Sequence, residues 1–189
     1  MSKAKPTNSK RRLRILLLIS MFSALSIVFG KFLAFNIGDT IRISFENLPI
    51  LFAGIFLGPL HGMIVGVVAD LVGCVLAGYL PPNLIVTLGA ALIGLCGGLF
   101  FRDTKPLPAA VRIFIACFVA HFFGSVFMKT LGFIVWYGSP SVLFLVRCYY
   151  FITAALEASL LVALSKTPVP RALDKMLDRP SREKWSKKK

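Results

Sequence analysis

The chain has 189 residues, of which 57% are hydrophobic and 16% charged, and it carries a net charge of +14. This composition excludes an ordinary soluble domain and indicates a protein that crosses the bilayer several times. The charge alone would suggest a nucleic-acid partner, but six of the 22 basic residues lie in residues 3–14 and nine in residues 166–189, a distribution typical of membrane topology signals.

The apolar runs predict membrane helices, because about 20 helical residues cross a hydrocarbon core of about 30 Å. The runs lie at 15–35, 48–80, 84–101, 109–137 and 141–165. Gly58-Pro59 divides the second run, since proline supplies no backbone donor and disfavours helix at the residue before it. We therefore predict an all-α membrane protein with six transmembrane helices, of which the helix at 48–58 is short.

The basic residues predict the orientation of these helices. The first run follows KRRLR and resembles a signal peptide, but it lacks a clear small-x-small cleavage site, so we interpret it as the first helix. Arg102, Lys105 and Arg112 lie between the fourth and fifth helices, on the same side as both chain ends. The positive-inside rule makes that side cytoplasmic. The predicted organisation is a basic cytoplasmic tail at 1–12, a six-helix membrane domain at 13–165 and a basic cytoplasmic tail at 166–189, with the tails near lipid headgroups.

Small residues recur at spacings of mostly four residues in three stripes along the first four predicted helices. Such faces let helix backbones approach closely in lipid. They are Gly54, Gly58, Gly62 and Gly66 around the second and third helices, Ser20 and Ala24 in the first, and Asn83, Thr87, Ala91, Gly94 and Gly98 along the fourth. Either these faces pack against each other within the chain or they dock a second membrane protein. The spacing alone does not separate the two.

Ionisable residues inside the apolar runs are candidates for a site, because each costs several kcal/mol in hydrocarbon unless it finds a partner or water. Helical spacing places two sets on common faces. They are His121, Ser125, Lys129, Gly132 and Trp136 on the fifth helix, and Arg147, Tyr150, Ala154 and Glu157 on the sixth. Two cations among aromatic side chains near the outer side would suit an anionic, ring-bearing ligand.

Buried ion pairing is the alternative for the same residues. For Asp70 and Glu157 we favour ion pairs with Lys129 or Arg147 inside the protein. For His121 we favour a buried core position in which its ring makes hydrogen bonds within the protein. For Arg147, and for Arg42 on the first outer loop, we favour contact with the ligand.

Sequence motifs of catalysis are missing from the chain. GxSxG, HExxH and GxGxxG do not occur, and the lone Gly30-Lys31 is followed by Phe32, so the chain lacks a phosphate-binding P-loop. We predict no enzyme activity, no metal site and no cofactor. A self-sufficient small transporter would show an inverted repeat, which we do not find, and an enzyme acting on lipid headgroups would need carboxylates or histidines clustered on one membrane face.

Two stretches resemble the substrate-binding S components of energy-coupling factor (ECF) vitamin transporters, and among them the folate type. They are RISFENLPILFAGIFLGPLHGMIVGVVADLVG and KTLGFIVWYGSPSVLFLVRCYYFITAALE. The matching positions are Arg42, Ser44, Phe45, Leu48, Pro49, Gly54, Gly58, Pro59, Gly62, Gly66, Asp70 and Gly73, then Thr130, Leu131, Tyr137, Gly138, Pro140, Arg147 and Glu157. The chain departs from the folate type at YLPPNLIVT, before helix four, and at Lys129 and Gly132.

The resemblance implies a substrate-binding domain at 13–165 in the cell membrane that takes up folate, or another vitamin or pterin-like compound. It also implies an ECF transmembrane subunit and two ATPase subunits as partners. Ser20 and Ala24 would dock the partner subunit. The ligand-binding residues that we predict from topology and resemblance together are Arg42, Ser44, Asn47, Asn83, Thr87, Lys129, Trp136, Tyr137 and Arg147.

Overall fold

The computed structural model describes residues 8–37, 41–78, 81–103, 107–141 and 143–177, with the side chains of residues 8, 36, 37, 41, 42, 103 and 143 left aside. Nine α-helices and one β-hairpin make up this part of the chain. In order they are α1 (Asn8–Phe32), β1 (Ala34–Ile37), β2 (Ile41–Ser44), α2 (Asn47–Phe52), α3 (Pro59–Ala77), α4 (Leu84–Asp103), α5 (Ala109–His121), α6 (Lys129–Tyr137), α7 (Leu143–Val146), α8 (Tyr150–Lys166) and α9 (Val169–Met176). Of the predicted basic tails at 1–12 and 166–189, residues 1–7 and 178–189 lie outside the described residues, whereas α1 already begins at Asn8 and α9 lies within the second tail.

Three segments of other helix types continue or join these helices. α2 continues as a π-helix at Ala53–Leu57, a second π-helix at Phe122–Met128 joins α5 to α6, and a 3₁₀ turn at Arg147–Tyr149 joins α7 to α8. β1 and β2 pair in antiparallel register, with Asn36 opposite Arg42. The described part is thus mostly helical, as predicted, and the hairpin is a feature that the all-α prediction did not contain.

In the part of the chain that the structure describes, five helical segments are long and apolar enough to cross a membrane. They are Ser9–Phe32, Pro59–Ala77, Leu84–Arg102, Ala109–Tyr137 and Phe144–Lys166. The segment Asn47–Leu57 is a shorter apolar helix. At 1.5 Å per residue its eleven residues span roughly 16 Å, about half of a hydrocarbon core. It is helical and short, as predicted, but its length does not make it a sixth crossing.

The chain breaks at Gly58, where the sequence predicted a tight turn. Gly58 has a φ of 127°, in a region that L-amino acids rarely adopt, and its N–H donates to the carbonyl oxygen of Ala53 at 3.0 Å. Pro59 then opens α3 at the position where a missing N–H costs nothing. This predicted break between the two helices is confirmed.

The short helix Asn47–Leu57 forms the centre of the core. All eleven of its residues are buried. α1, α3, α4 and α8 pack around it, and α9 contacts its π-helical end, where Leu173 is buried. The helix therefore holds its first residue, Asn47, at a fixed position inside the bundle.

The glycine ladder packs against the small residues of α4. A Cβ added at Gly54 or Gly62 would collide with the carbonyl oxygen of Gly94, and one at Gly66 with that of Ala90. The contact is reciprocal, because a Cβ at Gly94 would collide with the backbone of Gly62. Of the two interpretations of the ladder, packing among the protein's own helices is confirmed for these positions.

Substitution of Gly94 by alanine is expected to destabilise the protein by about 1–3 kcal/mol, because the added methyl group overpacks a backbone contact. Gly73→Ala is the matched control: a Cβ there meets nothing within 4 Å, so this helical position should tolerate alanine or gain slightly. Thermal unfolding in detergent checks the pair. Equal midpoints for the two variants would contradict the tight α3–α4 contact.

Candidate ligand-binding cavity

A cavity of about 660 Å³ opens at the end of the bundle that carries the hairpin. Its walls come from the later halves of α1 and α3, the whole length of α6, the start of α4 with the residues before it, the segment from β2 into α2, and the 3₁₀ turn that leads into α8. The volume lies in the range of pockets that enclose small molecules. Polar and aromatic side chains from distant parts of the chain meet there.

Lys129 faces a carboxylate across this cavity. Its Nζ donates to Glu46 Oε1 at 3.2 Å, and the residue is only 7% exposed. Ser26 fixes the position of Glu46 by donating to its backbone oxygen at 2.6 Å. The prediction that Asp70 or Glu157 neutralises Lys129 is wrong, because the hairpin delivers Glu46 to α6, which helical spacing along α6 does not reveal.

Arg147 lies among aromatic rings in the cavity wall. The centre of its guanidinium is 4.5 Å from the ring centroid of Phe133 and 5.5 Å from that of Tyr150. Its Nη1 donates to the carbonyl oxygen of Ser125 at 3.4 Å. Within the described residues no carboxylate lies at salt-bridge distance from Arg147, so the predicted pairing with Asp70 or Glu157 is wrong here too. The charge faces a cavity that could receive an anion.

Asp70 contributes a second carboxylate to the wall. Its Oδ2 accepts a hydrogen bond from the hydroxyl of Thr87 at 2.7 Å. Thr87, a predicted ligand-binding residue, is itself buried and supports Asp70 from α4. The sequence prediction had treated Asp70 as an internal ion-pair partner and not as part of the cavity.

Asn83 lines the cavity, but its side-chain amide is already engaged. Its Nδ2 donates to the carbonyl oxygen of Gly132 at 2.9 Å, and its Oδ1 accepts from the N–H groups of Ile85 and Val86 at 3.1 and 3.3 Å. These bonds cap the first turn of α4 and tie it to α6. Asn83 therefore forms part of the wall, whereas Thr87 supports the wall from behind and is not a lining residue. Contact of either residue with a ligand stays a prediction.

Ser44 and Asn47, two more predicted residues, both line the cavity. Ser44 ends the hairpin, and Asn47 begins α2 and is 1% exposed. The Asn47 side-chain amide lies 3.4 Å from His121 Nε2. His121 is fully buried, and its Nε2 lies 3.2 Å from Glu157 Oε2. His121 is thus a core histidine, as predicted, and the close charged partner of Glu157 is His121 and not Lys129 or Arg147.

The two aromatic residues at the end of α6, Trp136 and Tyr137, differ in their relation to the cavity. Tyr137 lines the cavity, whereas Trp136 is 45% exposed and is not among the lining residues. Within α6 the lining residues Lys129, Phe133 and Tyr137 follow one another at four-residue spacing, and Trp136 lies one position away from this row. The backbone of Arg42 lies in β2, but its side chain lies outside the described part, so its role stays a prediction.

Comparison with known proteins identifies the family. The sequence pattern of the family described as "ECF transporter, substrate-specific component" matches residues 14–173. The chain belongs to this family. The structure of FolT bound with folic acid is similar, at a TM-score of 0.63 and 25% identity, covering 79% of this chain and 90% of that one. An S component of a bacterial ECF transporter shares the fold at a TM-score of 0.62 and 20% identity, covering 89% and 99%. No curated protein sequence matches the chain.

The small-residue face of α1 lies on the outside of this S component. Ser20 and Ala24 are both exposed. The Ser20 hydroxyl donates to the carbonyl oxygen of Leu16 at 3.0 Å, one turn earlier in its own helix. Unlike the glycine ladder, this face is free of the contacts that would explain it by internal packing in the described bundle. Docking of a partner subunit here stays a prediction.

Sequence reasoning missed several residues of the cavity in this S component. Lys31, Glu46 and Asp70 bring charge to the wall, and Phe133, Tyr149 and Tyr150 bring aromatic rings. Phe133 could have been found from its position midway between Lys129 and Tyr137 in one helix. Tyr150 had been placed on the face of Arg147 but not proposed as a ligand contact.

Proposed function

We propose that this S component binds folate at the outer face of the cell membrane and that an ECF transmembrane subunit with two ATPase subunits drives its transfer inward. One observation carries the proposal: Arg147 lines an aromatic cavity in a chain of this family whose fold is similar to that of FolT bound with folic acid. The chain lacks a P-loop, so it would draw its energy from the partner ATPases.

The chemistry of folate complements the cavity wall. Folate has a pterin ring with N–H donors and a glutamate tail with two carboxylates. Asp70 and Glu46 offer acceptors for the ring, the rings of Phe133 and Tyr150 offer apolar faces, and Arg147 offers a cation for the tail. Charge-assisted hydrogen bonds of this kind are the strong ones in a partly enclosed site.

A second vitamin or pterin-like compound is the alternative ligand. Lys129 favours this alternative, because the folate type more often has a neutral residue at that position. The positive charge of Lys129 is paired with Glu46, so the charge of the cavity wall differs from that of the folate type. Mass spectrometry of small molecules released from the purified, detergent-solubilised protein separates the two. We expect folate or a reduced folate in stoichiometric amount. Release of a different vitamin would assign the cavity to that compound.

The distribution of basic residues along the bundle supports a particular orientation in the membrane. The cavity opens at one end, and the described basic residues at the start of α1, the end of α4, the start of α5 and the end of α8 lie at the other. The positive-inside rule therefore supports an outward-facing cavity and cytoplasmic termini.

Single cysteines in a background without the four native ones test this orientation. A membrane-impermeant thiol reagent applied to intact cells should label a cysteine placed at Asn36 and leave one at Ser9 unlabelled. Disruption of the cells should then expose position 9. Labelling of position 9 in intact cells would reverse the proposed topology.

A further inference from the structure

Asp70 is a carboxylate inside the membrane domain without a cationic partner in the described bundle. It lies in the second half of α3, one of the helices long and apolar enough to cross a membrane. In the part of the chain that the structure describes, the ion pairs are Lys129 with Glu46 and His121 with Glu157, and neither includes Asp70. A carboxylate at such a position is unfavourable unless a partner or water compensates its charge. The bundle thus leaves Asp70 to water or to a ligand in the cavity that it lines.

The carboxylate of Asp70 is held in place and still has capacity to accept hydrogen bonds. Its Oδ2 accepts from the hydroxyl of Thr87 at 2.7 Å, and Thr87 is itself buried on α4. Its Oδ1 has no hydrogen-bond partner among the described residues. An ionised carboxylate has about four lone-pair sites and no hydrogen to donate. The cavity wall therefore offers acceptor sites at Asp70 that a ligand with N–H donors could use.

The surface of α3 beside this carboxylate leaves room for a flat ring. The other residues of α3 that line the cavity are all small: Ala69, Gly73, Cys74 and Ala77. A Cβ added at Gly73, about one turn after Asp70, would meet nothing within 4 Å. The open space and the acceptor thus lie next to each other on one helix.

We propose that Asp70 is a specificity-determining residue, whose carboxylate selects a ring edge that carries N–H donors over an edge that carries a carbonyl oxygen. The proposal rests on the proposed function and deepens it, because the pterin ring of folate has a ring N–H beside an exocyclic amino group, and both donate. A carbonyl oxygen in place of that amino group would turn a lone pair towards the carboxylate. A site built to hydrogen-bond a donor rejects the analogue that lacks it.

Two ligands that differ at this one group test the proposal. They are folic acid and its analogue in which a carbonyl oxygen replaces the amino group of the ring, so that the tail is the same in both. Calorimetry on the parent should show a preference for folic acid of roughly 10- to 150-fold, the effect of a hydrogen bond to a charged group. Asp70→Asn keeps the size of the side chain and should lose most of this preference, because an amide offers one acceptor and one donor group.

Glu46→Gln is the matched control. It makes the same change in the other carboxylate of the cavity wall, which is already paired with Lys129 at 3.2 Å. Whatever its effect on overall affinity, this variant should keep the preference of the parent for folic acid. Equal loss of the preference in both variants would assign it to the charge of the cavity as a whole and would overturn the role of Asp70.

The other outcomes separate this inference from the proposed function. Similar affinities of the parent for the two compounds, or a preference that survives in folded Asp70→Asn, would overturn the inference alone. Binding of neither compound by a folded parent would reject the proposed function and the inference with it.

A labelling measurement replaces the variant if Asp70→Asn does not fold. Cys74 lies one turn after Asp70, lines the cavity and is half-buried. In a variant that keeps Cys74 as its single cysteine, saturating folic acid should slow the reaction of this thiol with a small thiol reagent, because the ring would cover it. An unchanged rate would place the ring away from Asp70 and overturn the inference.

Discussion

Replacement of Arg147 by alanine is expected to weaken folic acid binding roughly 10- to 150-fold. A hydrogen bond to a charged group contributes about 1.5–3 kcal/mol, and each 1.4 kcal/mol is tenfold in affinity. Arg147 is the cation to which this applies best, because its guanidinium lies against Phe133 and Tyr150 in the cavity wall, whereas Lys129 is already neutralised by Glu46. Isothermal titration calorimetry on the purified variants measures the loss.

Two further variants make the Arg147 result interpretable. Arg147→Lys keeps the charge but not the planar, forked donor, and it should fall between alanine and the parent. Arg11→Ala removes an exposed arginine near the start of α1, at the other end of the bundle, and should leave affinity unchanged. A folded Arg147→Ala protein with parental affinity would move the anion site elsewhere.

Replacement of Ser20 by leucine is expected to abolish folic acid uptake by cells while binding by the purified protein is retained. Ser20 and Ala24 present a small, exposed face on α1, and a bulky side chain prevents the close backbone approach that such faces permit. The cavity residues of α1 begin at Ser26, so a change at position 20 should not disturb the ligand. Radiolabelled uptake and calorimetry on the same variant report the two properties separately.

Ser159→Leu is the matched control for Ser20→Leu. Ser159 is also exposed on a long apolar helix, and its hydroxyl donates to the carbonyl oxygen one turn earlier, that of Ala155, as Ser20 does to Leu16. Uptake should survive this change. Equal loss of uptake in both variants, or loss of binding in Ser20→Leu, would contradict a docking role for the α1 face.

Local sequence signals predicted the features of the fold that depend on the backbone. Gly58-Pro59 ends one helix and begins the next because the glycine alone tolerates a φ of 127° and the proline alone lacks a donor. The spacing of Gly54, Gly62 and Gly66 predicted a close approach between helices, although only the structure identifies α4 as the partner. Such signals depend on residues that are close in the sequence, so they can be recognised in a single sequence.

The partners of the charged residues could not be predicted in the same way. Lys129 pairs with Glu46, 83 positions away, because a hairpin folds the chain between them towards α6. Asp70 lies in the cavity wall with Thr87 behind it, because the backbones of α3 and α4 approach each other closely at their glycines. The π-helix at Phe122–Met128 interrupts the α-helical spacing that connects His121 to α6, and no residue type in that segment predicts a π-helix.

Titration of folic acid into the purified protein is the most direct test of the proposed function. We expect saturable binding of one folic acid per chain, with an affinity that is reduced in Arg147→Lys, reduced further in Arg147→Ala and unchanged in Arg11→Ala. The absence of folic acid binding by a folded parent protein, freed of co-purifying ligand, would contradict it.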